Sequence, residues 1–221
     1  EFCPIRWEGG VIVVPLINLA RNRELMRATQ VMAIGFAMVL VACTSTVQPE
    51  DKNQALVAAA NKGRLEDVQR LLAQGADVNS TDKYGRTPLI AASFEGHRGV
   101  VKLLLDKEAD VNAKALSSAT ALMSASVQGH LDVVKLIVDS GADVNARDQL
   151  GHTALTWASI ENQGRVVQIL LDRGADVTIK DQSGKRALDY AAEMRHPEIV
   201  EVLRRHEQNP VSTGRDSDSE K

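Results

Sequence analysis

The side chains best able to bind a metal or move a proton near neutral pH are the five histidines, His97, His130, His152, His196 and His206. His97 and His130 stand 33 residues apart, each directly after a glycine. Two imidazoles repeated at that interval could share a metal ion across neighbouring structural units, but no cysteine and no acidic trio completes a ligand set beside them. They are therefore read as structural. Asp77, Asp110, Asp143 and Asp176 recur at the same interval in short clusters that suit turn formation. Ser93, Ser126 and Ser159 also recur, yet none lies in a Gly-x-Ser-x-Gly elbow, and the chain has no glycine-rich phosphate loop. These residues give no positive evidence for an enzyme, a cofactor or a resident metal. A metal-binding or hydrolytic auxiliary built on His97, His130 and the recurring aspartates is the rival from that class.

Side chains that recur need elements that recur. Leu56, Leu89, Leu122, Leu155 and Leu188 repeat every 33 residues, and so do Gly75-Ala76-Asp77, Glu108-Ala109-Asp110, Gly141-Ala142-Asp143 and Gly174-Ala175-Asp176. The units run about 49–81, 82–114, 115–147, 148–180 and 181–206, with Asp82, Asp148 and Asp181 as unit starts and Ala115 as the exception. Within a unit, Thr87 or Thr153 suits the cap of a first helix and Pro88 its opening turn. Gly63, Gly96 and Gly129 suit the turn to a second helix, with Asn162 in that place in the fourth unit. Val133, Val134, Leu136 and Ile137 give the second helix its apolar spacing, and Gly141 and Gly174 end it. Glu108 replaces that last glycine in the second unit, where a left-handed backbone would cost about 1 kcal/mol.

The second unit carries the fullest motif, Asp82-Lys83-Tyr84-Gly85-Arg86-Thr87-Pro88-Leu89-Ile90-Ala91-Ala92, then Gly96-His97 and Val100-Val101-Lys102-Leu103-Leu104-Leu105. This period and these residues resemble ankyrin repeats over residues 49–206. The resemblance implies an all-α solenoid of about five 33-residue helix-turn-helix units joined by β-hairpin loops. It departs from the pattern after the Thr-Pro-Leu triplet, where Ile90, Met123, Thr156 and Asp189 stand in place of the usual His. Pro197, Arg204, Arg205 and His206 suit a polar terminal cap, Asn53, Asn61, Lys62 and Arg64 suit the other end, and residues 207–221 read as a disordered tail.

Family resemblance further implies a protein partner on a concave face made of hairpin tips and first helices. Phe94, Val127 and Ile160 occupy one variable position along the first helices. Tyr84, Ser117 and Leu150 occupy another at the tips, beside Lys83, Leu116 and Gln149. An apolar row of this kind, with Arg86, His152 and Lys185 around it, suits a partner with hot-spot anchors. The partner-binding residues expected are thus Tyr84, Arg86, Phe94, Leu116, Val127, Leu150, His152, Ile160 and Lys185. Trp157 and Tyr190 share a position with Ala91 and Ser124 and are read first as packing.

The chain has 221 residues and a formal net charge of −3, which argues against a general nucleic-acid binder. With aromatics at 3%, its core must be built from Ala, Val and Leu, and with only Cys3 and Cys43 it has no disulfide framework. Met26 and Arg27 precede an unbroken apolar run from Val31 to Ala42, too short at ~1.5 Å per residue to cross a bilayer as a helix. Basic start, apolar centre and small residues at the end describe a secretory signal. Leu40-Val41-Ala42-Cys43 resembles the lipobox of bacterial lipoproteins, which implies cleavage before Cys43 and lipidation of its thiol. The expected plan is an upstream or non-native extension over residues 1–25, a signal peptide over 26–42, a lipidated tether over 43–53, and a single-copy repeat domain held at a bacterial envelope. The outer membrane, facing the periplasm, is the expected site, since Thr44 rather than Asp follows Cys43. The rival is a cytosolic ankyrin adaptor with a misassigned start or an uncleaved anchor. Val11 to Val14 suits a short strand, with nothing after it to pair with.

Overall fold

The structure is a computed structural model that describes the backbone of residues 2–7, 10–15 and 49–208, and side chains over 52–208. The chain divides into two compact parts, residues 1–47 and 48–221. In the first part, β1 (Phe2–Trp7) pairs antiparallel with β2 (Gly10–Pro15), Ile5 lying opposite Ile12. The strand expected around Val11 to Val14 therefore has a partner, but it precedes the strand instead of following it. Only Glu8 and Gly9 separate the two strands, and Pro4 is tolerated because a two-stranded ribbon has only edges. Cys43, the signal peptide over 26–42 and the tail beyond Gln208 lie outside the described residues.

The second part is five helix pairs: α1 (Pro49–Asn61) with α2 (Leu65–Ala73), α3 (Pro88–Phe94) with α4 (Arg98–Asp106), α5 (Ala121–Gln128) with α6 (Leu131–Asp139), α7 (Ala154–Ile160) with α8 (Gly164–Asp172), and α9 (Ala187–Glu193) with α10 (Pro197–Gln208). α1 begins inside the stretch expected as tether, and α10 runs past the expected end at 206. Among the described residues, no helix is long and apolar enough to cross a membrane.

First helices form because a threonine hydroxyl replaces the hydrogen bonds that a helix start lacks. Thr87, Thr120 and Thr153 each accept the backbone N–H three residues on, from Ile90, Met123 and Thr156, at 3.3 Å. In the last unit Asp189 instead accepts the N–H of Arg186 at 2.9 Å. The turn to the second helix needs a left-handed residue, supplied by Gly63, Gly96, Gly129, Asn162 and Arg195. Glu108 also takes that conformation, with φ at 60° where Gly75, Gly141 and Gly174 stand in the other units.

Leu56, Leu89, Leu122 and Leu155 are fully buried between neighbouring first helices, while Leu188, in the last described unit, is half-buried. Alanines at 91, 92, 125, 158 and 191, all without exposed surface, let those helices approach closely. The row of first helices packs more tightly than the row of second helices, which makes the first-helix side concave. Between units, hairpin connections are turns closed by paired backbone bonds, such as Asp82 N–H to Arg86 O at 3.1 Å with Gly85 N–H to Asp82 O at 2.9 Å, and Asp148 N–H to His152 O with Gly151 N–H to Asp148 O, both at 3.0 Å. Residues 49–208 contain no strand. Aspartates 77, 110, 143 and 176 each accept the N–H two residues on, the turn-forming role expected for them.

Candidate functional site

Two ladders hold the concave face in register. The ring of His97 reaches the carbonyl of Asn61 at 3.1 Å, His130 that of Phe94 at 3.0 Å, and His196 that of Ile160 at 3.1 Å, each 36 residues back. Gln163 stands in for the imidazole and donates to Val127 O at 3.3 Å. A carbonyl only accepts, so Nε2 carries the proton in each rung and is unavailable to a metal. Among the described residues no cluster of three His, Cys, Asp or Glu side chains suits a metal ion. Asn79, Asn112 and Asn145 form the second ladder, each accepting the backbone N–H of the next unit's aspartate at 2.8 Å.

On this frame a groove of about 530 Å³ opens at the third unit. Ile90, Met123, Val127 and Phe94 come from α3 and α5, Leu150 from the hairpin of the fourth unit, and Trp157 from α7. Arg86 and Asp148 stand at its edges. Of the expected contact residues, the structure thus brings together Arg86, Phe94, Val127 and Leu150. Tyr84 is 55% exposed at the second hairpin, with Lys83 Nζ 4.8 Å and the Arg86 guanidinium 5.3 Å from its ring centre. Leu116 is 69% exposed at the next tip, where its N–H donates to Tyr84 O at 3.1 Å.

Three expected contact residues are placed otherwise. Ile160 is half-buried and lies off the groove wall. Lys185 is paired with Glu193 at 2.7 Å and lies over Tyr190, and the Glu193 bond is the first cause of its raised pKa. His152 is buried, and the expectation of surface contact is corrected here. Its ring stands edge-on to Trp157 and Tyr190, and Nε2 lies 3.1 Å from Asp181 and 3.2 Å from the Tyr190 hydroxyl. Its position carries Arg86, Ala119 and Lys185 in the neighbouring hairpins, so nothing local announced the burial. The cause is a pair of aromatics, one within the unit and one from the next, that close over it.

Asp181 is the hub of that cluster. Burial alone would raise its pKa, but hydrogen bonds from the hydroxyls of Tyr190 and Ser183 and the N–H groups of Lys185 and Ser183 hold it far below the usual carboxylate range. Tyr190 is pushed above its usual value, first by the bond to Asp181 and further by burial, while a Ser183 bond opposes the shift. The arrangement joins His152 of the fourth unit to Asp181 and Tyr190 of the fifth and so fastens the last two units together. Asp148 does similar work one unit earlier, accepting the Trp157 indole N–H at 3.0 Å and the N–H groups of Leu150 and His152.

Sequence reasoning missed Ile90, Met123, Ala119 and Trp157 as groove residues. The available signal was Ala115, the exception among the unit-opening aspartates, together with Ala119 at the position of Arg86.

Comparison with curated proteins gives no match. The family model described as ankyrin repeats, in three copies, matches residues 25–115, 56–148 and 122–213. With that match over most of its length, and five stacked helix pairs joined by hairpin turns, the chain belongs to the ankyrin-repeat family.

Proposed function

We propose that the chain is a non-catalytic scaffold that binds a protein partner on its concave face and is held at a bacterial envelope by lipid on Cys43. Ankyrin repeats generally serve protein interaction, and one observation carries the reading for this surface. Among the described residues, the exposed large apolar side chains are Leu65, Tyr84, Phe94, Leu116, Leu150 and Met194. Two of them, Phe94 and Leu150, line the groove, and Tyr84 and Leu116 stand at the hairpin tips of the second and third units, where exposure of that kind marks a contact surface. Phe94→Asp with Ile160→Asp tests the surface. Loss of partner capture with an unchanged melting curve supports it, and capture at full strength refutes it.

The anchor rests on the apolar run ending in Leu40-Val41-Ala42-Cys43. Intact mass and fractionation of the natively expressed protein test it. A membrane-bound species beginning at acylated Cys43, lost in Cys43→Ala, supports the envelope reading, and its recovery with the outer-membrane fraction supports a site facing the periplasm. A soluble species retaining Met26 moves the scaffold to the cytosol.

A further inference from the structure

The third unit departs from its neighbours at two positions that decide what the concave face can hold. In the second unit Asp82 and Arg86 meet at the base of the hairpin, Nη2 lying 2.8 Å from Oδ2. In the fourth, Asp148 and Trp157 fill the corresponding space, and in the fifth, Asp181 and Tyr190. The third unit has Ala115 and Ala119 there, with Ser124 in place of the aromatic. From the second unit to the fifth, side-chain volume is missing on this unit alone, and the groove of about 530 Å³ opens at that point. Its volume falls in the range of ~300–1,000 Å³ typical of clefts that hold a ligand.

The charged groups that line it, Arg86 and Asp148, are already engaged. Asp148 accepts from the Trp157 indole and two backbone N–H groups. Asp82 accepts from Arg86 and from the N–H of Tyr84. Apolar side chains therefore suit the groove, since a charged occupant would lose water with no free opposite charge to meet it. Arg86 also lines a second depression, of about 440 Å³, with Lys62, Lys83 and Tyr84. Asp82 is the acidic group there and is matched by Arg86, while Lys62 and Lys83 form no ion pair among the described residues. The face is thus cationic at the first two units and apolar at the third.

We infer that the partner presents a peptide segment with acidic residues next to large apolar ones. Its carboxylates lie over Lys62 and Lys83 beside Tyr84, and its apolar side chains fill the third-unit groove. The inference rests on the concave-face reading above and adds the chemistry of the segment. A basic segment would bring like charge to Lys62 and Lys83.

A phage-displayed library of random peptides, panned against the full chain, tests it. Peptides combining an acidic cluster with apolar anchors should be enriched. Ala115→Asp with Ala119→Arg, which copies the second unit's pair into the third and should keep the melting curve, should weaken their binding about tenfold or more. Lys62→Glu with Lys83→Glu should weaken it as well and flatten its salt dependence. No enrichment, enrichment without acidic residues, or binding unchanged in the Ala115→Asp/Ala119→Arg protein would overturn the inference. If such peptides, or a native partner, still lost binding to the Phe94→Asp/Ile160→Asp protein, the concave-face reading would stand without it.

Discussion

Nε2 of His130 donates to the carbonyl oxygen of Phe94 at 3.0 Å, so the side chain that borders the groove is carried on a backbone held by the next unit. His130→Ala should cost about 1 kcal/mol, the net worth of such a bond. Gln163 occupies the equivalent rung with a longer bond and a more flexible side chain, and Gln163→His should raise stability. Urea denaturation of both variants checks the pair, and opposite signs are expected.

Gly96 and Gly75 share a positive φ but differ in surroundings. A Cβ on Gly96 would lie 2.6 Å from the His130 ring, whereas one on Gly75 meets nothing within 4 Å. Gly75→Ala should therefore cost only the backbone strain, about 1 kcal/mol. Gly96→Ala should cost more, because the rung must shift as well. Equal melting temperatures for the two variants would argue against the stacking account.

Glu108→Gly should stabilise the chain by about 0.5–1 kcal/mol by removing a side chain from a left-handed position that glycine fills in three other units. Thermal melting at neutral pH measures it. Restoring the glycine changes no described hydrogen bond of the Glu108 side chain, so the effect should come from the backbone alone.

Tyr190→Phe should destabilise the last two units by about 1–3 kcal/mol, since it removes a donor from the buried Asp181. The pH dependence has a definite sign at each end. Asp181 has a folded pKa below its ordinary value of 3.8, so its stabilisation is present above that value and is lost as pH falls below it. Tyr190 has a folded pKa above its ordinary value of 10.0, so its stabilisation is present below that value and is lost as pH rises past the folded pKa. The stability gap between wild type and Tyr190→Phe should narrow at both extremes, as pH-resolved denaturation would record.

The repeat was legible because five leucines in one phase require five equivalent burial sites, and four of them are fully buried. Thr120 caps α5 just as Thr87 and Thr153 cap their helices, yet it went unread as a cap behind the run Ser117-Ser118-Ala119. Arg195 holds a left-handed backbone that its residue type does not mark, and only its phase, 33 residues after Asn162, places it at the turn. Candidate site residues were legible where a side chain's exposure follows from its phase, as for Phe94 and Leu150. They were not legible where the outcome depends on a neighbour one unit away. His152 is buried by Tyr190, and the groove exists because Ala115 and Ala119 leave space that Trp157 then walls.

The two ladders have a mechanical consequence. Each rung joins a unit only to the one beside it, and the asparagine series stops at Thr178, which offers no matching amide oxygen to a further unit. Pulled from its ends, such a stack yields at one junction at a time, and each 33-residue unit that opens adds roughly 110 Å of chain. Tension on the molecule would then be relieved as a staircase of extensions, with the units still folded keeping their share of the concave face.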